Sequence, residues 1–594
     1  MNLLTGDFKT GIINGAQNWS TSIAPNISVY FFGSLFLSEI TGNPCIDPAG
    51  HIAGLYAKSS LDCLRTLDGT YLVIIIDGKN IYLTRDRFGS GQQLYFNQKG
   101  FSTSIEGILK STNTKPEPDW DHLSGFLQFG YIPAPGTGIK GISKLPSGVL
   151  LKWNGKDVSS SDLFSLEDYH NVSQNANMRL NDAVDQYKYL HQQAIKKRIA
   201  GASNVGVLLS GGYDSAGNIA GLHEIYNGKV QAFSIGFKDN PWSEIPLAKQ
   251  MADKIGAEFH QYEIDGSELN EIPELIKQLG DPFQEGGLMV NFAAMRLAAG
   301  FNPDVVLGGD GNDQHHGTFA KELAMNHLIR SSGMGFLQKG LYNYTRKQTS
   351  YQDDNLFRYG FHNRKILNIL YMDAFGFSDG ELGVMGLKDV KLSNYGVPDS
   401  IKSSGNYDEF FFQRQYYVDV KHVINEVILF KAGQNAALRG INIAFPYMDN
   451  DVAAFIAGLP RNLRFEGEYI DIIKGRGKSK ITHRKLYSSA MPDELSKKKK
   501  QGGFAPLPLF FQSAKNLDLA EKVILQSGLA NSQLNMNWIK EFIQRYRIES
   551  QKTPNWFWYS QLQAFKLFNL LVLAVWWETV LNGSSAKRLS DLIK

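Results

Sequence analysis

Two loops of the chain carry residue types suited to chemistry on a phosphate. In "NVGVLLSGGYDSAGNIAG", Asn204 to Gly221, an apolar run ends at Leu209, two glycines follow, and a small-residue stretch opens a helix near Asp214 and Ser215. A strand, a glycine turn and a helix in that order aim backbone N–H groups and a helix N-terminus at one spot, where an anion is favoured. Ser210 and Ser215 can add hydroxyl donors beside Gly211 and Gly212. Asp214 would repel a phosphate unless a cation lay between them, so the loop predicts Mg²⁺ bridging carboxylate and phosphate oxygens. The Gly-Lys-Ser/Thr ending of a Walker-type loop is missing. The second loop, "VVLGGDGNDQHHG", also follows an apolar strand and holds Gly308, Gly309, Asp310 and Asp313. Asp214 and Asp313, two strand-end carboxylates facing one loop, suit a metal ion on a diphosphate.

At 594 residues the chain is too long for one hydrophobic core. With 43% hydrophobic and 20% charged residues it is globular in composition, and a formal charge of +3 argues against a dedicated nucleic-acid binder. Two cysteines, Cys45 and Cys63, are too few for a disulfide scaffold and fit a reducing cytoplasm. The N-terminus has no secretory pattern, and the apolar stretch Leu567 to Trp577 is roughly half the length of a spanning helix, so it is expected as a buried C-terminal helix with no membrane contact.

From about Val29 to Trp153, short apolar strands alternate with turn signals, which predicts a β-rich domain over 1–155. A polar linker covers 156–180, and 181–594 opens with helical spacing. There the strands "VGVLLS", "VQAFSIGF", "EFHQYEI" and "DVVLGGD" alternate with helices, the pattern of a doubly wound parallel sheet.

The Ser-Gly-Gly-Xaa-Asp-Ser string after its strand resembles the signature of the PP-loop ATP pyrophosphatases. "VVLGGDGNDQHHG", "LRGINIAFPYMD", "GLPRNLR" and "MPDELSKKKKQGGFAPL" resemble elements of one branch, the asparagine synthetase family. "LDGTYLVIIID" and "TRDRFGSGQQLYF" are similar to that family's N-terminal glutaminase sandwich of the Ntn type. The resemblance covers nearly the whole chain. It implies an α/β synthetase domain binding ATP and Mg²⁺ through Leu208, Ser210, Gly211, Gly212, Asp214, Ser215, Ile235, Gly308 and Gly309, with Asp214 and Asp313 as metal ligands. Leu208 and Ile235 would flank adenine, and Lys500, or its neighbour Lys499, would stabilise charge on the reacting α-phosphate.

Three departures narrow the expected activity. The family's glutaminases carry a cysteine after the initiator methionine, and here position 2 is Asn2. The Asn-Gly-Glu of the glutamine site survives only as Gly33 in "FFGSLF". The family's Glu-Xaa-Arg before Pro-Phe-Leu-Asp is Asn442 and Ala444. Asp310 stands between two glycines where the family places a residue near the attacking amine, so a carboxylate there can take the amine's proton. His315 and His316 lack a third ligand and read as loop residues near the pyrophosphate.

An enzyme that adenylates a carboxylate and has lost its ammonia supply is expected to use an amine carried by its substrate. Within the wider family that is what lasso peptide cyclases and β-lactam synthetases do. The aromatic-rich stretch from Phe319 to Phe412 favours a linear peptide with a free N-terminus, with a leader peptidase or leader-binding protein as partner. The competing expectations are an ammonia-dependent asparagine synthetase and a non-catalytic nucleotide-binding scaffold. A tRNA-modifying relative is disfavoured by the near-neutral charge and the lack of paired cysteines.

Overall fold

The computed structural model describes residues 3–17, 19–24, 26–37, 45–169, 177–241, 243–317, 320–345, 358, 360, 362, 366, 375–388, 406–491, 505–552 and 557–593. The N-terminal part is built from β1 (Thr5–Asp7), β2 (Ile13–Asn14), β3 (Ser20–Ile23), β4 (Ile27–Phe36), β5 (Asp68–Asp77), β6 (Asn80–Arg85), β7 (Tyr95–Phe96), β8 (Gly100–Ser102), β9 (Ser143–Lys144), β10 (Val149–Trp153) and β11 (Val158–Asp162). They form two antiparallel sheets, ordered β2-β1-β8-β7-β9 and β11-β10-β6-β5-β4-β3. Side chains alternate across a strand. In β5, Leu72 and Ile74 therefore join Leu4, Phe8, Phe101 and Trp153 in a core shared by both sheets. Tyr71, Val73 and Ile75 instead pack with Ala49 and Ile52 of helix α1 (Pro48–Ser59). Strands covered on both faces read in sequence as unbroken apolar runs, which is why "YLVIIID" shows no alternation. The β10–β11 hairpin pairs Trp153 with Val158 and carries the sheet to Asp162, seven residues beyond the boundary at 155 that composition suggested. Its strand "VSSSD" is mostly exposed, so no apolar signal marked it.

Helices α2 (Ile105–Ser111) and α3 (Trp120–Phe129) join the N-terminal sandwich to the rest of the chain. Ile105, Ile108, Leu123 and Phe126 belong to one large core with Leu279, Phe283 and the C-terminal helix. Across this interface Gln284 N–H donates to the Gly130 carbonyl at 2.6 Å, and on its C-terminal side Trp576 Nε1 donates to the Gly280 carbonyl at 2.8 Å.

The C-terminal part begins with helix α4 (Leu180–Arg198) and contains one five-stranded parallel sheet: β12 (Asn204–Leu208), β13 (Lys229–Phe237), β14 (Glu258–Ile264), β15 (Val305–Leu307) and β16 (Ile443–Ala444), ordered β14-β13-β12-β15-β16. The chain winds outward from β12 in one direction and from β15 in the other, so the order reverses between these two strands. A doubly wound sheet binds ligands in the crevice at that reversal. One face of the sheet packs Val205 and Val207 against α5 (Tyr213–His223) and α6 (Ile245–Ile255). The other meets α7 (Leu288–Ala299) and α9 (Phe430–Leu438) through a cluster holding Ala294, Ala432, Ala436 and Phe445, and the short α8 (Asn312–His316) follows β15 at the carboxyl edge of the sheet.

Helix α10 (Ile481–Tyr487) returns to the first face, and α11 (Phe557–Trp576) closes the fold. The apolar stretch read at Leu567 to Trp577 is only the second half of a longer helix. The segment Trp558–Leu581 is long and apolar enough to cross a membrane, and 78% of its apolar window is buried inside the protein. Lys566 keeps a charge within it by pairing with the buried Glu381 at 2.7 Å.

Candidate active site

The sheet reversal brings the two loops predicted from sequence together. β12 ends at Leu208, and α5 starts at Tyr213 with Gly212 as its N-cap. Gly211 and Gly212 are absent from the positive-φ positions, so the turn needs them for space. A Cβ on Gly211 would lie 3.1 Å from Glu244 Cβ, and one on Gly212 3.1 Å from Ser210 Oγ. The loop's donors are engaged internally: Gly211 N–H donates to Glu244 Oε2 at 3.1 Å, and Gly212 N–H to Ser210 Oγ at 3.2 Å. Ser215 is buried, and its hydroxyl donates to the carbonyls of Ser210 and Gly212, both at 3.1 Å. Ser210 is the exposed hydroxyl of the pair and Ser215 shapes the loop.

The second loop lies directly against the first. A Cβ on Gly309 would sit 3.0 Å from Ser215 N and 3.3 Å from the Asp214 carbonyl carbon, both backbone atoms that cannot swing away. Gly309→Ala is therefore expected to push the two loops apart and slow carboxylate-dependent ATP–pyrophosphate exchange roughly 100-fold, measurable as kcat with the chain still folded. Asn218 Nδ2 reinforces the approach by donating to the Gly308 carbonyl at 2.8 Å.

Asp214 and Asp313 meet at one cation. Lys480 Nζ lies 2.5 Å from Asp214 Oδ2 and 2.7 Å from Asp313 Oδ1, with its side chain 6% exposed. Burial alone would lower the Lys480 pKa, but the two carboxylates outweigh it and hold the ammonium above its usual range. Lys480 takes left-handed backbone angles, φ 60°, as it caps α10. Asn312 Nδ2 donates to Asp214 Oδ1 at 2.6 Å and the Tyr447 hydroxyl to the Asp214 carbonyl at 2.8 Å. His483 is pushed down to about 4 by burial, so it is neutral, and its Nε2 carries the proton it donates to the Tyr213 carbonyl at 3.0 Å.

The donor set fits magnesium: Asp214 and Asp313 offer hard carboxylate oxygens that already converge on a single positive centre. With ATP bound, the same two residues would hold Mg²⁺, and the ion would supply charge neutralisation between carboxylate and phosphate.

Asp310 stands half-buried between this cluster and a second ion pair, Glu285 with Lys431. Burial pushes its carboxyl up to about 6; Lys431 pulls the other way, and Asp214, Glu285 and Asp313 add to the rise. Leu208 and Ile235 are both half-buried and pack against the cluster on the α7–α9 face. Lys499 and Lys500 lie outside the described residues.

His315 and His316 are buried in α8 and are not loop residues. His315 Nδ1 pairs with the Tyr169 hydroxyl at 2.8 Å, and the Asn312 carbonyl accepts from His316 Nδ1 at 2.9 Å. Among the described residues no three His, Cys, Asp or Glu side chains form a metal cluster. Ala444 is buried in edge strand β16, while Asn442 Nδ2 reaches the Asp304 carbonyl at 3.5 Å.

Residues 186–576, which hold each of these charged side chains, match the family description asparagine synthase, and residues 50–164 match a glutamine amidotransferase domain. The chain belongs to the asparagine synthase family. Its Bacillus subtilis relative asparagine synthetase (glutamine-hydrolyzing) 1 is 20% identical over 84% of this chain and 75% of its own length. A Methanocaldococcus jannaschii relative, "Putative asparagine synthetase (glutamine-hydrolyzing) 2", is 27% identical over 48% of this chain; the match spans about half of that relative, 56% of its length. The solved structure of the allosteric regulatory enzyme of purine biosynthesis is similar over 48% of this chain and 55% of its own, at 12% identity and a TM-score of 0.17.

This asparagine synthase family member adds residues that its sequence did not single out: Lys480, Asn312, Tyr447, Glu244, Glu285 and Lys431. Lys480 sits in "GRGKSKITHRK", which reads as a solvated basic face, and no local pattern tells a buried lysine from its exposed neighbours.

Proposed function

We propose that the chain joins a carboxylate to an amine through an acyl-adenylate, consuming ATP and releasing AMP and pyrophosphate, and that its substrate is a linear peptide closed into a macrolactam without glutamine. The observation that carries the reading is Asp310, a half-buried carboxylate beside the Asp214–Lys480–Asp313 cluster. In the first step a substrate carboxylate oxygen attacks the α-phosphorus and the bond to pyrophosphate breaks. Ser210 and the N-terminus of α5 cradle the leaving pyrophosphate, joined by the Gly211 N–H once it exchanges Glu244 for phosphate oxygen, with Lys480 close by as countercharge. In the second step the amine attacks the acyl carbon, AMP departs, and Asp310 takes the amine's proton.

Independence from glutamine is supported by the two thiols. Burial pushes Cys63 up to about 11 and also raises Cys45, so neither is held as the thiolate that glutamine hydrolysis needs. The peptide substrate is supported by the aromatic stretch. Phe336 and Tyr344 of the helix Gly335–Thr345 are 72% and 59% exposed, more than a packing helix requires.

A proton acceptor must be ionised to work. Amide formation in the parent is therefore expected to show, below pH about 6, a limb falling about tenfold per pH unit beyond the decline set by protonation of the substrate amine, whose ordinary pKa is about 8. Asp310→Asn should lower the plateau and remove that limb, while leaving adenylation, read as ATP–pyrophosphate exchange, within about threefold of the parent.

The second reading is asparagine synthesis, the product in the relatives' names, here from aspartate and free ammonium. Exchange and product mass separate the two. A peptide that drives exchange and emerges lighter by one water supports the macrolactam; asparagine as the product replaces it with the second reading.

A further inference from the structure

The charged groups at the carboxyl edge of the sheet fall into two sets on opposite faces. Asp214 lies in α5 and Lys480 caps α10, and Asp313 of α8 meets them at the Lys480 ammonium. Glu285 and Lys431 come from the loop before α7 and from α9, on the other face. Asp310 stands between the sets and feels both. The first set has its task in the phosphates. The second has none in the chemistry so far, yet Lys431 is 9% exposed and Glu285 also accepts from Gly287 N–H at 2.9 Å. An ion pair between a buried lysine and a half-buried glutamate is poor value as a stabiliser, because drawing the charges out of water costs much of what their attraction returns. Such a pair beside a reaction centre is explained when a ligand takes over its partners.

Resting on the amide-forming reading above, we propose that Glu285 and Lys431 are the specificity residues for the two reacting groups. Lys431 receives the substrate carboxylate; Glu285 receives the substrate ammonium, takes its first proton to free the nucleophilic amine, and holds that amine beside Asp310, which takes the second proton as the amide forms. The substrate class is then one molecule, or one peptide, that brings an anionic carboxylate and a cationic primary amine to the site together. The exchange is neutral in charge: one internal ion pair opens and two intermolecular pairs form, so no charge is left buried without a partner. The arrangement also answers a problem of sign. A carboxylate approaching Asp214, Asp310 and Asp313 meets three negative groups, and Lys431 is the cation on its side of Asp310.

The test is binding, read by calorimetry in the presence of AMP and Mg²⁺, so that it does not depend on turnover. The probes are a C-terminally amidated peptide with a free N-terminus and one aspartate, its N-acetylated form, and its form with asparagine replacing the aspartate. In the parent chain each change is expected to weaken binding by about tenfold or more. In Glu285→Gln the penalty for acetylation should vanish while the penalty for asparagine stays; in Lys431→Met the pattern should reverse. Lys431→Arg keeps the charge and should keep the preference for aspartate, which covers the case of a Lys431→Met chain that folds poorly. Penalties that are the same in parent and variants overturn the assignment while leaving the adenylating reading intact, provided the parent still exchanges pyrophosphate. A parent that binds none of the probes and shows no exchange overturns both.

Discussion

Asp214→Asn is expected to cut carboxylate-dependent ATP–pyrophosphate exchange by about 10³-fold in saturating Mg²⁺, with little change in the melting transition. The carboxylate lies at the first turn of α5, where the helix field already favours the anion it must share with a metal. The neutral amide keeps the size, its oxygen can still accept from Lys480 and Asn312, and the Tyr447 hydroxyl bonds the unchanged backbone carbonyl, so the backbone has no reason to move. The metal dependence makes the expectation specific. Without Mg²⁺ the variant should bind ATP as well as the parent or better, because a negative group facing the triphosphate is gone. With Mg²⁺ it should bind more weakly. Equal affinities under both conditions would show that Asp214 does not share a cation with the nucleotide.

The second large effect is on Lys480→Met. Two carboxylates 2.5 Å and 2.7 Å from one buried ammonium lose it together, and a buried charge left without its partner costs about 3–5 kcal/mol. The melting temperature should fall by several degrees, and exchange by about 10²- to 10³-fold. Millimolar Mg²⁺ should recover part of the lost stability in the variant and little in the parent, since the freed carboxylates then find another cation. Scanning calorimetry with and without the ion checks this. A variant as stable as the parent, and indifferent to Mg²⁺, would mean that the three side chains do not form the cluster described.

The sequence made the strand ends legible and the side-chain partners illegible. Leu208, Leu209 and the Ser210–Ser215 loop could be placed because an apolar run, a glycine pair and a helix start are local signals. β14 matches its predicted span, Glu258 to Ile264, for the same reason. Lys480 is 266 residues from Asp214, and Lys431 is 146 from Glu285; only the topology of the sheet brings them together. Gly211 and Gly212 suggest a tight turn by residue type, and the structure shows what requires them: the close approach of Glu244 and Ser210. Strand β11 carries no sequence signal because four of its five residues are exposed. The full length of α11 is hidden in the sequence because Lys566 and Asn569 interrupt its apolar pattern, and both are buried with partners of their own.

The most direct test of the central claim is the fate of a labelled oxygen. A substrate carboxylate enriched in ¹⁸O, in the peptide or in aspartate, is turned over with ATP and the AMP is weighed by mass spectrometry. One ¹⁸O in AMP is the predicted result, because the oxygen that attacks the α-phosphorus stays with it when the amine displaces it from the acyl carbon. Label in inorganic phosphate alongside ADP would mean an acyl phosphate, and would contradict the account.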